Sequence, residues 1–125
     1  MKPRILVVDD DPLYTEAATE ILAQDGRVEV VGCAGNGREA VEQALSLEPD
    51  VVLMDIQMPL LDGIEATRCL RRMLPSVRIV LVSSSTSTTD RRRAREAGAF
   101  AAIAKGLGTD ALIEAALTAA EAVAS

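Results

Sequence analysis

The stretch ILVVDDDP, residues 5–12, decides how the rest of the chain is read. Ile5, Leu6, Val7 and Val8 form an apolar run with the look of a buried strand. Asp9, Asp10 and Asp11 follow without a break. Adjacent carboxylates repel, and beside a low-dielectric core their ionised forms are disfavoured further. A core strand that ends this way needs something that compensates the charge. Of the three, Asp11 has a local explanation. Pro12 suits the first position of a helix, which makes Asp11 its solvent-facing cap.

Outward from this stretch, strand-like runs recur at Val28–Val31, Val51–Met54, Ile79–Val82 and, more weakly, Phe100–Ala104. Helical spacing of apolar residues fills the intervals. Leu13, Ala17, Ile21 and Leu22 mark one stripe, Ala40, Val41, Ala44 and Leu45 a second, and Ile64, Cys69, Leu70 and Leu74 a third. Arg91–Ala97 reads as a short polar helix, and Ala111–Val123 as an Ala-rich one with Leu112, Ile113 and Leu117 on its apolar face. Gly and Pro mark the joins. Strict strand–helix alternation implies a parallel sheet with right-handed crossovers and helices on both faces. The near-continuous apolar runs agree with strands buried on both sides. The expected architecture is one small doubly wound α/β domain.

The 125 residues suit a single core, with 49% hydrophobic and 26% charged residues. No apolar run approaches the roughly 20 residues of a membrane span. The N-terminus carries acid where a secretory signal needs an apolar stretch, so the expected location is cytoplasmic. Cys33 and Cys69 are far apart and read as reduced structural thiols. The absence of histidine excludes a His-based zinc site, a Ser-His-Asp triad and a phosphohistidine carrier. A net charge of −6 argues against direct nucleic-acid binding. The basic run DRRRAR (90–95) reads as a solvated helix face. GCAGNG (32–37) has G-x-x-G-x-G spacing, the reverse of a dinucleotide fingerprint, and reads as a flexible turn.

In a doubly wound sheet, ligands bind beyond the carboxyl ends of the strands, where strand order reverses. The first strand ends in Asp9 and Asp10, the third in Asp55, the fourth in Ser83 and the fifth in Lys105. The second ends at Gly32 with nothing ionisable. Mg²⁺ together with Lys105 would balance the three carboxylates, and Mg²⁺ favours one or two carboxylates plus water. Calcium is disfavoured, because no loop has EF-hand spacing. An Asp carboxylate beside such a metal can act as a nucleophile toward phosphorus, with Lys105 and Ser83 placed to bind phosphoryl oxygens.

With these elements in order over essentially the whole chain, the sequence resembles the receiver domain of two-component response regulators. The residues that carry the likeness are ILVVDDDP, VVLMDIQMPLLDGIEATRCLR (51–71), Ser83 and Lys105. It is most similar to receivers that precede a helix-turn-helix output domain. The resemblance implies a flavodoxin-like (βα)5 fold with strand order 2-1-3-4-5. It implies Asp55 as phosphoacceptor, and Mg²⁺ held by Asp10, Asp55 and the Gln57 backbone carbonyl, with Asp9 assisting through water. It places Ser83 at the Ser/Thr switch position and Lys105 against the phosphoryl group. It also implies a sensor histidine kinase as donor, or a small acyl phosphate, in a phosphorelay. Such a domain is not an enzyme beyond catalysing its own phosphorylation and dephosphorylation. Residues 1–125 are expected to be the receiver alone, as a monomer or weak dimer, with any DNA-binding output domain in a longer chain.

Two departures bear on the switch. Receivers usually carry an aromatic residue three before the lysine, where this chain has Ala102, and often Pro after it, where this chain has Gly106. Phe100 lies two residues from Ala102, on the same side of the strand; it is expected to pack under the fourth helix, the alternative being that it takes over part of the missing aromatic's role. Ser84 to Thr89 read as loop and cap residues, and Asp62 as a turn or cap. Two rival readings are a haloacid-dehalogenase-type phosphotransferase and a non-phosphorylated pseudo-receiver. The first needs a second Asp where Gln57 stands. The intact Asp10, Asp55 and Lys105 set argues against the second.

Overall fold

The computed structural model describes residues 2–84 and 87–124, with the side chains of 123 and 124 left aside. Five strands and five helices alternate: β1 (Arg4–Val8), α1 (Pro12–Asp25), β2 (Glu29–Ala34), α2 (Gly37–Leu47), β3 (Val51–Asp55), α3 (Gly63–Met73), β4 (Arg78–Ser83), α4 (Thr88–Ala97), β5 (Ala101–Ala104) and α5 (Thr109–Ala124). A short 3₁₀ turn, Lys105–Leu107, precedes α5. The strands are parallel in the order β2-β1-β3-β4-β5, as the resemblance implies.

The apolar strands split their side chains between two layers, as pleated backbone requires. Ile5, Val7, Val51, Leu53, Val80 and Val82 pack against α1 and α5. Leu6, Val8, Val52, Met54, Ile79 and Leu81 pack against α2, α3 and α4. All twelve are at most 3% exposed, which is why these strands read as continuous apolar runs.

Side-chain hydrogen bonds start the helices. Asp11, Asn36, Asp62 and Ser87 cap α1 to α4, each accepting from a backbone N–H in the first turn. Asp11, Asp62 and Ser87 thus match expectation. Ser85 and Thr86, read as loop residues, lie outside the described residues.

Four expectations need correction. First, β2 does not end at Gly32. A register shift between Ile5 and Leu6 carries the strand past Val31, and Gly32, Cys33 and Ala34 pair with Leu6, Val7 and Val8. Only Gly35 and Asn36 remain as the turn before α2, so GCAGNG is mostly strand. Second, Leu13 is 76% exposed, and the buried face of α1 runs through Tyr14, Ala18, Ile21 and Leu22. Third, Leu45 faces outward, and Leu47 packs in its place. Fourth, Phe100 precedes β5 and stays 41% exposed. It lines a cleft of about 210 Å³ between α4 and β5 with Arg91, Arg95 and Ala102.

Gly63 shows how tightly the β3–α3 connection is built. A Cβ there would lie 2.1 Å from the Asp55 carbonyl oxygen. Its N–H donates to Ile56 O at 2.7 Å. Glycine alone lets α3 begin against the backbone of Asp55.

Candidate functional site

Strand order reverses between β1 and β3, and the crevice beyond their carboxyl ends is where this architecture binds ligands. Asp9 follows β1 and is 2% exposed, while Asp55 ends β3 and is 9% exposed. Asp10 points to solvent. Carboxylate oxygens of the three lie within 4.8 Å of one another. The convergence expected from strand ends is therefore present.

Lys105 enters from the end of β5. Its Nζ donates to Asp9 Oδ2 at 2.6 Å and lies 3.7 Å from Asp55 Oδ2. The other oxygen of Asp9 accepts from the Asp11 N–H at 2.9 Å. Asp9 thus has two close partners, the Lys105 ammonium and the Asp11 N–H. Ser83 is buried at the end of β4, beside Ala104 of β5. Gln57 is exposed in the turn after β3.

Burial raises the Asp55 carboxyl above its ordinary value. The Asp9 charge adds to this, and Lys105 and the Ile56 N–H oppose it. Burial lowers the Lys105 ammonium, but the Asp9 hydrogen bond and the Asp55 and Asp9 charges outweigh it, for a net upward shift. The pocket holds excess negative charge with one internal cation, a set of hard oxygen donors that suits a small divalent ion.

One residue of the site carried no motif. Tyr14, on the first turn of α1, places its ring 4.3 Å from Lys105 Nζ. Its position two residues into a helix that starts at a strand end was the available signal. It is also the chain's single tyrosine.

Among the described residues no helix is long and apolar enough to cross a membrane. Cys33 and Cys69 are free.

Comparison with known proteins agrees with this geometry. Residues 5–117 match the response regulator receiver domain family. The protein-glutamate methylesterase/protein-glutamine glutaminase 1 of Pseudomonas aeruginosa is 48% identical over 86 residues, covering 69% of this chain and 23% of that protein. The response regulator GacA of Pseudomonas viridiflava is 40% identical over 112 residues, covering 90% of this chain and 52% of that protein. This chain therefore spans about a quarter to a half of these curated relatives. The crystal structure of the response regulator domain of Thermotoga maritima CheB superposes with a TM-score of 0.89 at 33% identity, covering 97% of this chain and 98% of that one. With three acids and a lysine gathered at the strand ends of a 2-1-3-4-5 sheet, and with the family's match running almost end to end, this chain belongs to the response regulator receiver family of two-component signalling.

Proposed function

We propose that Asp55 is the phosphoacceptor and that Asp9, Asp10 and Asp55 form the Mg²⁺ pocket, with the Gln57 backbone carbonyl as a further ligand. The observation that carries this reading is the carboxylate cluster within 4.8 Å, closed on one side by Lys105. When bound, the metal supplies positive charge that offsets the carboxylates and the incoming phosphoryl oxygens.

The chain's own residues do the rest. An oxygen of Asp55 forms a bond to phosphorus while the bond from phosphorus to the donor breaks, whether to the imidazole nitrogen of a histidine kinase or to the acyl oxygen of a small donor. Lys105 stands between Asp9 and Asp55 and pairs with a phosphoryl oxygen. The Ser83 hydroxyl, at the end of the neighbouring strand, binds another. Positioning and electrostatics account for most of what phosphoryl transfer needs.

The same step switches the domain. Ala102 has no ring to move into the α4–β5 cleft, and Phe100 sits outside the strand. The conformational readout therefore rests on Ser83, the segment that follows it and the register of α4. Control of an output domain in a longer chain follows from the same reading, as does a cytoplasmic location.

The test is intact-mass spectrometry after incubation with Mg²⁺ and acetyl phosphate. One added phosphoryl group is expected, lost in Asp55→Asn. Full phosphorylation of that variant would place the acceptor elsewhere.

A further inference from the structure

Lys105 is held from two sides, and only one of them is acidic. Its ammonium donates to Asp9 at 2.6 Å and faces Asp55 at 3.7 Å. From the α1 side, the Tyr14 ring lies 4.3 Å from the same nitrogen. That distance falls within the range in which an aromatic face attracts a cation.

The local sequence puts the ring there. Asp11 caps α1 and Pro12 begins it, so Tyr14 falls on the first turn, just beyond the carboxyl end of β1. The ring is half-buried and packs on the α1–α5 layer of the core. Behind it lies an apolar cleft of about 210 Å³ between α1 and α5, bordered by Ile21, Ile103 and Leu112. Tyr14 and Lys105 both line that cleft, beside the acid pocket.

We propose that Tyr14 is a positioning residue for phosphoryl transfer: its ring holds the Lys105 ammonium against the Asp9–Asp55 pair, where the incoming phosphoryl group must be met. Lysine has a flexible four-carbon stem and one compact charge, so its direction is set by what surrounds it. The acids restrain the ammonium through charge. The ring adds a face 4.3 Å from the same nitrogen and takes up space that the stem would otherwise sample. The attraction is to the face of the ring, so phenylalanine should serve as well as tyrosine. The inference rests on Asp55 being the phosphoacceptor.

The experiment compares the full 125-residue wild type with Tyr14→Phe and Tyr14→Leu. One arm follows phosphorylation by acetyl phosphate with Mg²⁺. The second records the ε-methylene proton resonances of Lys105 in the metal-free proteins, which report the ring's position without any phosphoryl transfer. In wild type and Tyr14→Phe these protons should be displaced upfield by the ring, and the phosphorylation rates should agree within about twofold. In Tyr14→Leu the protons should return to the ordinary lysine position, and the rate should fall by roughly threefold to tenfold. A folded Tyr14→Leu that is phosphorylated as fast as wild type overturns the proposal. So does an ordinary Lys105 resonance in the wild type, a measurement that needs no variant to fold. Failure of the wild type to take up any phosphoryl group overturns the Asp55 reading and the rate claim with it, and the resonance still decides whether the ring holds the ammonium.

Discussion

Removing the charge of Asp55 should stabilise the metal-free protein. The Asp9 and Asp55 carboxylates approach within 4.8 Å. At an effective dielectric of about 20 their repulsion is at least about 3.5 kcal/mol. Lys105, 3.7 Å from Asp55, returns about 4.5 kcal/mol on the same scale. These opposing contributions nearly cancel, and Asp10 is exposed, so water screens its share. What remains is the loss of hydration around a carboxylate that is only 9% exposed. Asp55→Asn keeps the shape and removes the charge, so we expect a gain of about 1 kcal/mol at pH 7, or about 4 °C in Tm. The pH dependence has a definite sign. A carboxyl whose folded value lies above its ordinary 3.8 penalises folding only where it is ionised. The penalty is absent below 3.8 and grows as pH rises through the folded value. The variant's advantage should therefore be smaller at about pH 4 than at pH 7. Mg²⁺ should reverse the order, because saturation to ten times Kd adds about 1.4 kcal/mol to a binder and less to a variant that has lost a ligand. Thermal melts at both pH values, with EDTA and with Mg²⁺, supply the data. An Asp55→Asn protein less stable than wild type in EDTA at pH 7, or an advantage that does not change with pH, would refute the reasoning.

Two other perturbations test the frame around the site. Lys105→Met leaves Asp9, 2% exposed, without its 2.6 Å partner, and should cost about 3 kcal/mol in urea unfolding; a loss under about 1 kcal/mol would show that water replaces the lysine. Leu60 sits in the β3–α3 loop at φ 70° with 79% of its surface exposed. Left-handed backbone costs a non-glycine residue about 1–2 kcal/mol, and glycine's extra freedom in the unfolded chain takes back about half of that. Leu60→Gly should raise stability by about 0.5–1 kcal/mol, and a lowered urea midpoint would mean that the leucine side chain makes a contact worth more than the strain.

Much of this molecule is legible in its sequence because strands buried on both faces leave no alternative pattern. Val51–Met54 and Ile79–Val82 are apolar at every position, and each position contacts one of two helical layers. The acids at the strand ends were visible for the converse reason, since a charge at the edge of a core is conspicuous. Periodicity failed where helices overhang the sheet. Leu13 has a core residue's chemistry but lies on the first turn of α1, beyond the end of β1, and is 76% exposed. Gly32 looked like a stop because glycine often ends a strand, yet a one-residue register shift let pairing continue to Ala34. The left-handed backbone at Leu60 has no signature in a leucine. The part taken by Tyr14 depends on how the first turn of α1 meets Lys105, just past β5 and far away in the chain.

The unequal division of Lys105 bears on which acid should accept a phosphoryl group. Asp9 takes the short contact with the ammonium and also the Asp11 N–H. Asp10 faces water, which compensates its charge without help from the protein. Asp55 is hidden from most of that water, lies 3.7 Å from Lys105 and accepts from the Ile56 N–H. Its backbone cannot retreat, because α3 begins against its carbonyl oxygen through Gly63. On these contacts Asp55 is the carboxylate with the most to gain from a new positive or covalent partner, whether a proton, a divalent ion or a phosphoryl group. Its proximity to two other acids disfavours its ionised form. The resting Lys105–Asp9 pair satisfies the deeper acid and leaves the lysine close enough to turn toward whatever Asp55 acquires.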